Sequence, residues 1–288
     1  MTRLLPARIL ATTVALAAGL GPGLGADLGR GPNPGPVMPE GMPRGDTRGA
    51  PDAVPDPEPN AAPDAFGNVS QIYDVYLGGI FAGEIIVDAE FDARRYRASA
   101  LLRTAGIVAV FYKAQLRAEA AGRVTGERLA PGRFTANTRD PKKTQFVEMI
   151  YRNGDLGEIR AEPAFQPKPW QIDPMAQSGT TDPLTGLLAA LAPVPRARLC
   201  NRRVEVFDGR RRYAIELKKP EMHRRAVRCR AVFRRIAGYK PKLMKKKRAT
   251  WPFRVWFKPG SDGIYRVVRV MGATPFGTAV ARKRPKKG

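Results

Sequence analysis

The chain has 288 residues, 43% hydrophobic and 26% charged, enough apolar mass for one large core or two small ones. Fifty Lys and Arg against 26 Asp and Glu give a net charge of +24. Five basic and seven acidic residues fall in 1–66, so the later part alone carries +26. Such a domain attracts polyanions through long-range, salt-screened fields. An Arg-rich composition that dots solvated strand faces with charge is the plainer account of the same numbers. Beyond residue 20, no window approaches the roughly 18 apolar residues of a membrane-spanning helix. The mature chain is therefore not expected to be an integral membrane protein.

The first 26 residues have the three parts of a secretory signal. Arg3 and Arg8 precede an apolar stretch, Ile9 to Leu20, that Gly21 and Pro22 break. Leu24-Gly25-Ala26 offers a small residue for cleavage after Ala26, with an earlier cut near Ala18 or an uncleaved anchor as alternatives. Export to the periplasm is the expectation, and no Cys follows to take a lipid anchor. Residues 27–66 are dense in Pro, Gly and Asp without apolar period. They read as a disordered linker, because such a segment buries too little surface to offset its ordering cost.

From Gln71 the pattern becomes β. Ile72 to Leu77 runs into Gly78-Gly79, a two-residue hairpin turn. Ile80 to Phe91 follows, with Gly83 allowing a bulge or a close backbone approach. Tyr96, Ala98, Ala100 and Leu102 alternate with Arg95, Arg97, Ser99, Leu101 and Arg103, a strand with one wet face. Residues 104–113 read as a short apolar helix capped by Thr104, or as a buried strand. Strands are expected at 114–123, 132–139, 144–152 and 155–162, the last two joined by Asn153-Gly154. A Pro-rich loop spans 163–181. Asp182-Pro183 then opens a helix, Leu184 to Leu191, that is apolar nearly all round and should be buried. Strands at 203–207, 210–218, 225–236, 251–258, 263–271 and 276–282 complete residues 67–282, with Asp208-Gly209 as a turn and 283–288 as a basic tail. This order predicts an α+β, mostly β domain in which a long, strongly curved antiparallel sheet wraps the two short helices.

Cys200 and Cys229 suit a disulfide in an exported chain, with two buried thiols or a redox pair as alternatives; they are not in a CxxC motif. With a single histidine, His223, they do not make a four-ligand metal site. No G-x-S-x-G elbow exists, and Asp88, Glu90 and Asp92 alternate as carboxylates on a wet strand face usually do. No catalytic residue and no cofactor is therefore assigned. Candidate linings of an apolar groove are Ile107, Val110, Phe111, Leu184, Leu187, Leu188 and Leu191. Candidate contacts to anionic headgroups are Arg210, Arg211, Lys245, Lys246 and Lys247.

Several stretches in order carry a resemblance: Tyr73 to Gly79 with Gly83-Glu84, Leu102 to Gly106 with Phe111-Tyr112, Asp182 to Leu188, Val206 to Tyr213, the two cysteines, Ala237-Gly238-Tyr239, and Thr274 to Gly277. Together they resemble domain-of-unknown-function family 3108, an uncharacterised proteobacterial envelope family. The resemblance implies a LolA-like fold, a curved antiparallel half-barrel with two short helices on its concave face, as in the periplasmic lipoprotein carriers whose concave face shelters acyl chains, and it transfers no catalytic residue. The expected partners are a lipid or other amphipathic ligand and an anionic membrane surface, not nucleic acid. The rival expectation is a structural or assembly protein that binds a protein or acidic polymer through its basic surface.

Overall fold

β-branched and aromatic residues alternate with Arg, Glu and Ser along nearly every segment from residue 69 on, a period that buries one face of a sheet and wets the other. The computed structural model describes residues 66–245 and 249–285. The expected signal, nearly all of the expected linker, Lys246, Lys247 and the last three residues lie outside them.

Thirteen strands form one antiparallel sheet: β1 (Val69–Leu77), β2 (Ile80–Phe91), β3 (Arg95–Thr104), β4 (Gln115–Thr125), β5 (Arg128–Asp140), β6 (Lys143–Arg152), β7 (Asp155–Glu162), β8 (Arg202–Phe207), β9 (Arg212–His223), β10 (Ala226–Ala237), β11 (Thr250–Pro259), β12 (Tyr265–Thr274) and β13 (Gly277–Lys283). Three α-helices and one 3-10 turn (Arg196–Arg198) accompany them among the described residues, the α-helices being α1 (Gly106–Phe111), α2 (Pro183–Leu191) and the single turn α3 (Pro241–Met244). The spatial order is β7-β6-β5-β4-β3-β2-β1-β13-β12-β11-β10-β9-β8. The first and last strands thus pair in mid-sheet, Tyr73 opposite Lys283, while the edges β7 and β8 come from the middle of the chain.

The sheet is curved, open and wrapped around α2. That helix packs on β3, β4 and β5 and also on β8 and β9, which lie at the other end of the strand order. Asp182 caps it by accepting from the Leu184 and Thr185 amides, and Pro183 occupies its first position. Leu184 and Leu188 are fully buried against a core that includes Val206, Phe207, Ile215, Val255 and Phe257. Gly186 lets the helix lie directly on β8, since a Cβ there would sit 2.4 Å from Val206 Cγ2.

The half-barrel with α2 in its hollow is as expected; the placement of α1 is not. Helix α1 closes the end of the sheet over β2, with no residue buried. Ile107, Val110 and Phe111 are 57%, 75% and 80% exposed, so they do not line the concave face. A six-residue helix without a polar face gives no sequence signal for which side it presents. Its start is also not the expected cap: Ala105 holds that position, and Thr104 Oγ1 instead donates to the Tyr112 carbonyl and accepts from the Ala114 amide.

Smaller differences have local reasons. Gly78-Gly79 and Asn153-Gly154 make two-residue turns with positive φ at both positions. The β8–β9 turn instead takes four residues, with Asp208 Oδ1 accepting from the Arg210 and Arg211 amides. Glu221, Met222 and His223 extend β9 rather than forming a loop, because they pair with β10 as far as Ala226. Phe66, read as the last linker residue, is buried and stacks on Phe91 at 5.4 Å.

Candidate functional site

Three regions carry the candidate residues: the interior beside α2, one end of the sheet, and a groove on the outer face.

The interior is nearly full. Leu187, Leu188 and Leu191 of α2 line one cavity of about 60 Å³ with Tyr73, Ile85, Val87, Val267, Val270 and Ala281. A second cavity of about 70 Å³ lies between β4–β6 and the β8–β9 turn, reaching Arg210 and Arg211. Each has room for about two waters, far below the several hundred Å³ of a site for a lipid-sized ligand. Between them sits a polar cluster. The Asp182 carboxyl is completely buried; Oδ1 caps the helix and Oδ2 has no hydrogen-bond partner. Burial pushes its pKa up to about 6. The Tyr96 hydroxyl meets Thr185 Oγ1 at 2.6 Å, and the Tyr213 hydroxyl is buried without a partner.

The end of the sheet gathers candidates that are far apart in sequence. The strand directions place the β1–β2 turn, α1, the β5–β6 turn, the β8–β9 turn and the β10–β11 connection at one rim. Apolar Ile80, Ile107, Val110 and Phe111 therefore share an end with Lys113, Lys142, Arg210, Arg211, Lys240, Lys242 and Lys245. Helix α1 is held firmly. The Ala105 amide donates to the Ala82 carbonyl, and Gly106, at φ +60°, rests against the Phe81 ring. Arg210 lies over Phe165 at 5.0 Å, Arg211 over Tyr239 at 5.5 Å and Lys240 over Trp170 at 5.3 Å. The two arginines are half-buried and oriented by rings, not loose at a hairpin tip.

The outer face carries a groove of about 1240 Å³ that no single stretch of sequence announces. It crosses β1, β13, β12 and β11 to the β9–β10 turn. Arg224, Arg225, Lys258, Arg269, Arg282, Lys283 and Arg284 line it, with His223, Tyr76 and Trp256, and no carboxylate does. Arg284, read as tail, is fixed there: it donates to Asp74 and to Glu84 Oε2 at 2.8 Å, tying the end of the chain to β1 and β2. The Arg284 hydrogen bond, with that of Arg103, holds the Glu84 carboxyl below its usual range. A second outer groove, about 790 Å³, holds Asp88, Glu90 and Glu119 beside Arg97 and Arg133 on β2–β5. Asp92 lies apart, its Oδ1 accepting from the Arg94 and Arg95 amides in the β2–β3 turn.

The cysteines are joined: Cys200 and Cys229 form a buried disulfide with Cα atoms 5.2 Å apart, fastening the entry to β8 onto β10. Among the described residues, no group of three His, Cys, Asp or Glu side chains could hold a metal ion. None of their helices is long and apolar enough to cross a membrane.

An open antiparallel half-barrel enclosing one helix, with cationic surfaces outside it, is the class of protein defined here. The sequence profile described as "Protein of unknown function (DUF3108)" matches residues 72–283, from β1 to the end of β13, and the chain belongs to that family. No curated protein and no solved structure matches it.

Proposed function

We propose that this is an exported, non-catalytic binding protein of the cell envelope that docks rim-first on anionic lipid and holds amphipathic molecules non-covalently there. One observation carries the reading: α1 presents Ile107, Val110 and Phe111 to solvent at the same end of the sheet as the cationic turns. A rigid apolar projection rimmed by charge marks an interaction surface, and a lipid interface satisfies both parts. Each basic residue near an anionic surface adds about 1 kcal/mol of attraction. Export rests on the signal-like residues 1–26. The LolA-like carrier role expected from the family resemblance belongs to the same proposal in a narrower form. Cavities of about 60 and 70 Å³ shelter no acyl chain unless α2 is displaced, whereas the rim needs no rearrangement.

Flotation with phosphatidylglycerol vesicles tests the proposal. The chain should float with anionic vesicles, less so with phosphatidylcholine or at high salt. The double variant Val110→Asp/Phe111→Asp should lose most of the bound fraction while keeping its melting temperature, since both side chains are exposed. Undiminished flotation of that variant would reject rim docking.

A further inference from the structure

We infer that the outer basic groove, whose cations on β11–β13 and the β9–β10 turn are distinct from those of the rim, is a binding site for a linear chain of phosphate groups. Elsewhere on the outer face, Arg clusters come with carboxylates. Glu216 takes Lys218 at 2.8 Å and Arg234 at 3.5 Å, and Glu221 takes Arg230 at 2.8 Å. An Arg-rich composition alone produces that intermixing. The groove departs from that pattern: Arg284 is paired with Asp74 and Glu84, yet seven cationic residues line about 1240 Å³ and no carboxylate belongs to the lining.

Arg269 and Arg282 are direct cross-strand partners, an arrangement that destabilises a sheet unless something anionic lies between. Asp74 stands opposite Arg282 in register on β1, yet it is engaged by Arg284, leaving the Arg269–Arg282 pair to the groove. Guanidinium forks suit the paired oxygens of phosphate, and a chain with charge on every unit suits cations spread over β11, β12, β13 and the β9–β10 turn.

The one tryptophan of the groove gives no stacking platform of the kind nucleic acid uses. Trp256 is only 8% exposed and lies beneath Arg269 at 5.3 Å, so it offers no open face for a base to stack on.

The test uses the full chain and fluorescently labelled inorganic polyphosphate, followed by anisotropy. Binding should weaken steeply with salt, and Arg225→Glu/Lys258→Glu/Arg282→Glu should weaken it at least about ten-fold. The matched variant Arg94→Glu/Arg123→Glu/Arg128→Glu makes the same change in net charge away from the groove and should bind like the parent. The neutral set Arg225→Gln/Lys258→Gln/Arg282→Gln, expected to show an intermediate loss, serves if charge reversal unfolds the protein. Equal losses in the groove and matched variants would overturn the inference. So would oligothymidylate or polygalacturonate binding as tightly as polyphosphate, or complete displacement by orthophosphate at equal total phosphate. Vesicle flotation should be unchanged in the groove variant, so failure here and failure of rim docking are read separately.

Discussion

Asp182 is the residue where burial, capping and titration meet. Its charge is needed by nothing that touches it, because an Asn side chain caps a helix as well. Its pKa, raised by desolvation from 3.8 to about 6, means that folding favours the protonated form. Stability from this group is complete below about pH 4 and is lost as pH rises through 6. Asp182→Asn should therefore match the parent near pH 4 and exceed it at pH 7 by roughly 3 kcal/mol, since a tenfold change in proton affinity is worth about 1.4 kcal/mol. Denaturant melts at the two pH values measure this; a difference that stays flat with pH would sink the assignment. The cap and the helix behind it were legible from Asp182-Pro183. The surroundings were not, because Tyr96 and Tyr213 come from two strands, β3 and β9, that meet only when the sheet curls.

At the scale of elements, α2 is held by contact, not by propensity. Replacing Gly by Ala inside a helix ordinarily stabilises it by up to about 1 kcal/mol. Gly186→Ala should instead cost about 1–3 kcal/mol, because the added methyl meets Val206 of β8 at 2.4 Å. Thermal melting checks the sign, and a stabilised variant would show that the helix–strand contact yields. Strands were readable because their period of two and their turn residues are local signals: Gly78-Gly79, Asn153-Gly154 and the one-sided burial of β3 all stand where expected. Helix α1 was readable as a helix but not in its role. Both α1 and α2 are short and apolar, and only tertiary packing decides that one fills the hollow while the other projects. The rim cations Arg210, Arg211 and Lys245 were singled out from runs of charge, which a sequence shows directly. The outer groove was missed because His223 to Arg225, Lys258, Arg269 and Arg282 to Arg284 become neighbours only through register.

For the whole molecule, the controlling feature is that β13 fills the place between β1 and β12. Both faces of that strand matter: Ala279 and Ala281 are buried in the core, and Arg282 lies on the groove side. A chain ending after Phe276 should fail to show a cooperative melt, whereas one ending after Pro285 should melt as the parent does. Loss of β13 with the transition intact would mean that the two halves of the sheet are independent. The carboxylates held low by their cationic partners, Glu216 chiefly by Lys218 and Glu84, Glu205 and Glu221 by arginines, lose their stabilising charge together as pH falls below the normal carboxylate range.

A strand order whose seam joins both extremities has a further meaning for how the molecule is made. As the chain leaves a ribosome, amino end first, the centre of the sheet waits for β13 to arrive. Until then two meanders hang from the linking segment 163–201, each with an unzipped side. The pairing across that seam, with 210 residues between Asp74 and Arg284, is a contact of high contact order, the kind that slows folding. The sheet is thus two separate meanders until its last strand arrives to join them.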